Sequence, residues 1–495
     1  MFKRLLVLAA GVSILGIATF AVLYSFFGLR IRPDGTLIPA IEFVKSPSDQ
    51  ERAIEAHREA QRAAAPATPA GASPEPAAAP GQAASPAATF LWPGYRGAER
   101  DGRYRDTPIR TDWSRSGLQA LWKQPVGGGY ASFALARGRA FTIEQRGRNE
   151  VVAAYDVLTG RELWKDSWPA FFQESMGGDG PRATPAWDGG KVYALGAAGE
   201  LRAYDDATGK VVWRANILKD AGASNLTWGM AASPLIAGDA VIVLPGGGDG
   251  RSVTAYDKNT GKILWSALND PQSYAAPMLV TLAGTRQFLV VSATRIMGLS
   301  LDRRDVLWEQ PWRTEYDINA AQPIVIGDNR VFYSSGYGVG AAVFEISRDG
   351  DRFAAREIWR NNRMKNRASS SVLHNGFIYG LDEAILACID AATGELKWKG
   401  GRYGYGQLLV AGDHLVVITD TGDLVLVAAA PDEHRELARF PAIAGKTWNV
   451  PALVGGILLV RNAEEMAAFD LRVSAGGDST PARPPSPPAS GPPPR

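Results

Sequence analysis

The sequence predicts an all-β fold: an eight-bladed β-propeller closed by pairing of its amino- and carboxyl-terminal strands, with one transmembrane helix ahead of it. Three observations predict it. A turn motif ending in tryptophan recurs at intervals of 39–52 residues, short alternating strands fill the stretches between, and no Ala/Pro-rich break interrupts residues 91–472.

Taken in order, the chain begins with Leu5 to Leu29, 25 positions without a charged residue. As a helix this run is about 37 Å long, enough to cross a hydrocarbon core of about 30 Å. It is longer than the apolar region of a cleaved signal peptide. Residues 1–32 are therefore expected to form a cytoplasmic stub and an uncleaved signal anchor. Ser48-Asp49-Gln50-Glu51 has the spacing of a capping box and starts a charged helix running to about Ala64. With few apolar positions, this juxtamembrane part (33–64) is expected to be solvated. Residues 65–90 are Ala, Pro, Gly and Ser almost throughout, the composition of a disordered linker. Extended at about 3.1 Å per residue, it would be a tether of roughly 75 Å. Residues 473–495 form a second Pro-rich stretch, read as a disordered tail.

Between these stretches lies the repeat. Asp156 leads to Trp164, Asp205 to Trp213, Asp257 to Trp265 and Asp390 to Trp398, always eight residues apart and always through Asp-x-x-Thr-Gly. The aspartate is suited to accept backbone hydrogen bonds across a hairpin turn. The glycine (Gly160, Gly209, Gly261, Gly394) supplies a positive φ that other residues resist. Another strand pair precedes each hairpin, so a period holds four strands. Weaker copies end at Trp308 and Trp359, Trp122 stands at the head of the series, and Phe440 is taken as the eighth terminal residue. Periods of this length with four strands each signify a propeller. Trp122 has no such turn upstream, whereas Met466–Asp470 leads toward a turn and the chain then leaves. Each end lacks what the other has, so the segment around Leu121 is expected to pair with that around Ala468, which removes exposed edges. The tryptophans, aspartates and glycines of the repeat are read as blade-docking residues.

Composition narrows the function. Lys+Arg 53 against Asp+Glu 51, with no long basic block, gives no footprint for nucleic acid. The single cysteine, Cys388, excludes an internal disulfide framework and a Cys-based zinc site and reads as a small buried hydrophobe. Four scattered histidines form no local metal pattern, and His374 and His414 read as exposed turn residues.

The run from Ala255 to Trp265, Ala-Tyr-Asp-x-x-Thr-Gly-Lys-x-x-Trp, resembles the tryptophan-docking repeat of pyrroloquinoline-quinone (PQQ) proteins. That group includes the quinoprotein alcohol dehydrogenases and the outer-membrane β-barrel assembly lipoprotein BamB. The overall likeness is to PQQ-binding-like β-propeller repeat proteins, a label that carries no cofactor with it. The enzymes of the group hold the quinone against two adjacent disulfide-bonded cysteines, and here Cys388 has no cysteine neighbour. Their calcium ligands and catalytic base cannot be matched position by position. The lipoprotein's acylated cysteine is missing as well, and the apolar run stands in its place.

In a propeller the loops leading into the innermost strands line a funnel. Candidates for partner binding on those loops are Arg182, Trp228, Tyr274, Asp317, Asn319, Arg367, Tyr405, Trp448 and Asn449, residue types that commonly anchor interfaces. The expectation is a monomeric, non-enzymatic scaffold that binds envelope proteins. It would be anchored singly in the inner membrane with the propeller on the periplasmic side, and needs no cofactor. The alternatives are a PQQ- and calcium-dependent oxidoreductase and a propeller that binds a small ligand or glycan without turnover.

Overall fold

The computed structural model describes residues 29–32, 40–43, 47–64, 90–113 and 117–473, with five isolated positions between 16 and 23. Eight antiparallel sheets follow one another at 134–169, 186–216, 235–267, 278–311, 324–361, 372–402, 407–441 and 452–470, and are called blades 1 to 8. The eighth is completed by Ala120–Pro125, its outermost strand, through pairs that include Ala468↔Trp122 and Phe469↔Ala120. The ends meet as the sequence predicts, and the ring is closed.

The two middle strands of each blade are covered on both faces by neighbouring blades. Arg139–Arg146 and Asn149–Asp156 are accordingly buried along nearly their whole length. The outer strands instead alternate. Each carries a register shift next to the tryptophan position: Ala203 faces Trp213 while Tyr204 faces Val211, and Ala255 faces Trp265 while Tyr256 faces Ile263. The residue skipped by the bulge is turned outward, which accounts for the exposure of Leu121, Val212, Leu264 and Leu437. In blade 7 the residue at the shift is Ala438, opposite Leu426. Phe440, expected as the eighth terminal residue, lies two positions further on and meets Phe469 edge-on.

The docking device is explicit in the contacts. Asp156 Oδ1 accepts from Leu158 N, Thr159 N and Thr159 Oγ1 at 2.8–3.0 Å, and Asp205, Asp257 and Asp390 repeat the pattern. Gly160, at φ +69°, lies against the Trp122 indole of the preceding blade, where a Cβ would come within 2.6 Å of Cδ2. Gly209 meets Trp164, Gly261 meets Trp213 and Gly394 meets Trp359 in the same way. The indole N–H completes the joint, from Trp122 to Val157 O (2.8 Å), Trp164 to Asp206 O (2.9 Å) and Trp213 to Lys258 O (3.0 Å). Four junctions depart: Trp398 keeps its N–H bond, to Ala430 O (2.8 Å), but meets His434 edge-on in place of a glycine turn, and blade 7 offers Ala438 where the others have tryptophan. Trp265 is covered by the Arg304 guanidinium, 4.4 Å from the ring centroid, and Trp308 turns to Gln287 Oε1 of its own blade (2.6 Å). All four lie where the Asp-x-x-Thr-Gly turn is missing. Cys388 is fully buried, as expected. His374 is not an exposed turn residue: it is buried, with Nε2 2.9 Å from Asp413 Oδ1.

Two amino-terminal elements pack on the ring. The Pro47–Ala64 helix, expected to be solvated, docks across the seam between blades 8 and 1 and buries Ile54 and Arg58 completely. Arg58 donates to Gln124 Oε1 (2.7 Å), pairs with Glu162 (3.4 Å) and stacks over the Tyr155 ring (5.0 Å). Glu55 binds Lys165 at 2.8 Å. Beneath lies a buried ionic cluster: Arg146 bonds Glu144 (2.7 Å) and Glu162 (2.6 Å), and Arg461 of blade 8 reaches Thr142 Oγ1 (2.7 Å). Burial works to raise the Glu144 pKa, but the Arg146 and Arg461 guanidiniums outweigh it and hold the carboxyl at about 2.

The second element is a plug. Residues 92–104 enter the ring at the end where the innermost strand of each blade turns into the second. Trp92 bridges to Leu135 of blade 1, Pro93 O accepts from Trp187 N of blade 2 (2.7 Å), and Arg103–Tyr104 run parallel to Gln407–Ala411 of blade 7. Arg100 donates to the carbonyls of Ser233 and Pro277 (3.1 Å each) and of Pro234; Arg96 donates to those of Ser370 (3.4 Å) and Ser371 (2.7 Å). Both guanidiniums are buried, with no carboxylate paired to either among the described residues, and burial lowers the pKa of Arg100 to about 10.

Most of the Leu5–Leu29 span, the 65–90 linker but for Phe90, and the tail from 474 lie outside the described residues. Leu29 itself stands in a strand, Leu29–Arg32, paired with Ala40–Phe43, where the sequence predicts helix. Among the described residues no helix is long and apolar enough to cross a membrane.

Candidate functional site

At the end of the channel opposite the plug, the loops entering the innermost strands bring aromatic and cationic side chains into a ring. Tyr130 stacks on Trp448 with centroids 5.7 Å apart, and Tyr405 meets the same indole edge-on at 6.1 Å. Arg367 lies between Tyr405 and Tyr337, 5.3 and 5.0 Å from their centroids, and donates to Tyr405 Oη (3.0 Å). Trp228 and Tyr274 pack against each other at 5.9 Å. Arg182 sits over Tyr130 (5.4 Å) and Phe172 (4.8 Å), its position fixed by donation to the carbonyls of Gly180 (2.6 Å) and Gly178 (2.7 Å). Lys446 completes the circuit, its Nζ 3.5 Å from the Trp448 centroid and 2.7 Å from Gly177 O. Such cation–ring contacts are each worth about 0.5–2 kcal/mol, more where water is excluded. They hold the rim in one shape before any partner arrives.

Six of the nine sequence candidates, Arg182, Trp228, Tyr274, Arg367, Tyr405 and Trp448, therefore stand at the mouth. Burial pushes the Tyr274 hydroxyl up to about 12, so it stays a neutral hydrogen-bonding group. Asp317 is exposed on the loop between blades 4 and 5, beside Tyr316, which is 72% exposed at φ +65°. Two successive non-glycine residues in the left-handed region are unusual, and Tyr316 is turned outward there. Asn319 and Asn449 do not face the mouth. Asn319 is fully buried and donates to Ser292 O (2.9 Å); Asn449 is 2% exposed and donates to Ala131 O (2.9 Å) and Gly129 O (3.2 Å). Both cap backbone carbonyls of adjoining blades, as Asn366 does for Leu381 O (3.1 Å). An asparagine in these loops is scaffold, because its short amide reaches the strand end beneath it.

Sequence reasoning missed Tyr130, Tyr337, Lys446 and the exposed Met176. Tyr130 and Lys446 had a usable signal, since both lie in loops between an outer strand and the next innermost one. Tyr337 lies in the turn between the second and third strands of blade 5, a class of loop that also reaches this end.

The acidic groups at the mouth are engaged by backbone amides. Glu174 is taken up by the amides of Met176 (2.9 Å) and Gly177, and Asp420 by that of Tyr405 (3.2 Å). Among the described residues no three of His, Cys, Asp and Glu assemble as metal ligands. Below the mouth the axis is filled by Arg96 and Arg100.

A family model described as outer membrane protein assembly factor BamB (PQQ_2) matches residues 148–400. The BamB protein of Burkholderia pseudomallei is 23% identical over 381 residues, covering 72% of this chain and 92% of its own. That of Bordetella pertussis is 24% identical, over 60% of this chain and 72% of its own. The fold is similar to the crystal structure of BamB from Moraxella catarrhalis, with a TM-score of 0.53 at 17% identity over 71% of this chain and 99% of that one. It is also similar to a europium-containing methanol dehydrogenase, with a TM-score of 0.59 at 13% identity over 78% and 98%. With its repeat, its closed ring of eight blades and a match across half its length, the chain belongs to the PQQ-repeat family described as outer membrane protein assembly factor BamB.

Proposed function

We propose that this protein is a membrane-anchored, extracytoplasmic scaffold whose channel mouth binds protein partners in the bacterial envelope. The observation that carries the reading is the mouth itself: Tyr130, Trp448, Tyr405, Arg367 and Tyr337 form a pre-shaped, half-exposed rim of the residue types that dominate binding energy at interfaces. The relatives' name, an assembly factor of the outer membrane, supports an envelope partner. The anchor is the apolar run Leu5–Leu29, and the apolar stretch implies the inner membrane with the propeller on the periplasmic side.

The test is capture from solubilised membranes with the immobilised full chain. Trp448→Ala and Arg367→Ala should each lose the proteins that the unaltered chain retains, without loss of thermal stability. Retention of the same proteins by both variants would refute the reading. A second arm titrates the chain with PQQ and calcium. A saturable change in quinone absorbance with dye reduction would replace the scaffold with an oxidoreductase.

A further inference from the structure

We infer that the channel mouth is the membrane-facing end of the molecule, held near the bilayer by a short connection, and that its partner is one presented at the membrane surface. The inference rests on the anchoring proposed above and on where the docked helix begins. Its first turn lies at the mouth end: Gln50 Nε2 donates to Val126 O (2.9 Å) and to Ala463 O. Val126 opens the loop that carries Tyr130. Ala463 lies in a turn that Asn462 ties to Ala444 O (2.7 Å) and Thr447 Oγ1 (3.3 Å), in the loop that carries Trp448. Further along, Arg58 and Gln61 reach Gln124 on the flank of blade 8. Followed toward its amino terminus, the chain leaves the propeller beside the mouth.

The upstream hairpin limits how far it can then travel. Leu29 faces Phe43 across the strand pair, so the last residue of the apolar run lies about 5 Å from Phe43. Four residue steps from Phe43 to Pro47 span at most about 14 Å. The end of the apolar run therefore lies within about 20 Å of Pro47, where the docked helix begins at the mouth end. The stretch 65–89 does not lengthen this connection. The residues on either side of it, Ala64 of the docked helix and Phe90 ahead of the plug, are both placed on the propeller, so the apolar run is joined to the mouth through residues 30–47 alone. What keeps the helix down is the cluster around Arg58, which undocking would leave open to water with Glu162 losing a partner.

The experiment uses the full chain in phosphatidylethanolamine/phosphatidylglycerol vesicles that carry an energy acceptor on a fraction of the headgroups. A donor dye is placed at Met176→Cys on the mouth or at Asp239→Cys on a turn at the opposite end, both exposed positions; Cys388 is buried and stays unlabelled. Transfer should be several-fold stronger from Met176→Cys, and Gln50→Ala with Arg58→Ala should bring the two toward equality. Equal or reversed transfer in the parent chain, with the protein floating with the vesicles, would overturn the orientation while leaving the anchor intact. Failure to float would remove the anchoring reading and this one with it. If the double variant does not fold, as read by thermal melting, the parent pair of labels decides alone.

Discussion

The rim of the ring and its axis join the same eight blades by opposite means. At the rim one device is used again and again: an indole laid on a glycine turn, its N–H donated to the turn's backbone. It is apolar, local, and pre-set by an aspartate that organises each turn without outside help. At the axis a single excursion of chain carries two buried arginines to the carbonyl ends of blades 3, 4 and 6. No part of it repeats. A repeated joint can lose one copy and leave the others standing, whereas a single pin binds all the blades it touches to one another. The rim therefore supplies stability per junction, and the axis supplies coordination between junctions.

This contrast can be broken at the rim first. Trp213→Ala empties the joint between blades 2 and 3 and should cost about 3–5 kcal/mol in urea unfolding, the usual range for a buried aromatic. A loss under about 1 kcal/mol would mean the joint carries little. Next comes a buried acid between blades 1 and 2. Glu150 is 1% exposed, Oε1 accepts from Ala197 N (2.8 Å), and burial pushes its pKa from the ordinary 4.5 to about 7. Between those values the folded state binds more protons than the unfolded one. Stability should therefore fall as pH rises from 4.5 to 7 and then level off, with a slope of at most about 1.4 kcal/mol per pH unit. Glu150→Gln should flatten that slope, and an unchanged slope would assign it to another group. At the axis, Arg100→Met leaves three carbonyls without a donor and should cost about 1–3 kcal/mol. If the pin coordinates blades, unfolding of that variant should also lose its single sharp transition. The smallest effect is expected at the mouth: Arg367→Ala should change stability by no more than about 0.5 kcal/mol while abolishing partner capture.

Legibility in the sequence follows the same division. Blade number, turn chemistry and the pairing of Trp122 with Ala468 could be read because each is either repeated or complementary to another repeat. Phe440 was misplaced because in blade 7 the bulge sets an alanine, Ala438, at the docking position, and an alanine gives no signal. The plug and the docked helix were illegible for a different reason. Arg96, Arg100 and Arg58 look like surface charges, and only the fold brings them to carbonyls and carboxylates 66 to 275 residues away. At the mouth, large aromatic and basic side chains were identifiable by loop position alone, but Asn319 and Asn449 were not separable from them. Whether a polar group caps a strand or faces outward depends on its reach.

That the residues flanking 65–89 both sit on the propeller has a practical corollary. Cutting the chain there would remove one covalent link and none of the described contacts, since the helix before it and the plug after it are each held elsewhere. A molecule nicked at that point would run as two bands on a denaturing gel and as one particle in solution, and the shorter piece, mixed back with the longer, should find its groove unaided.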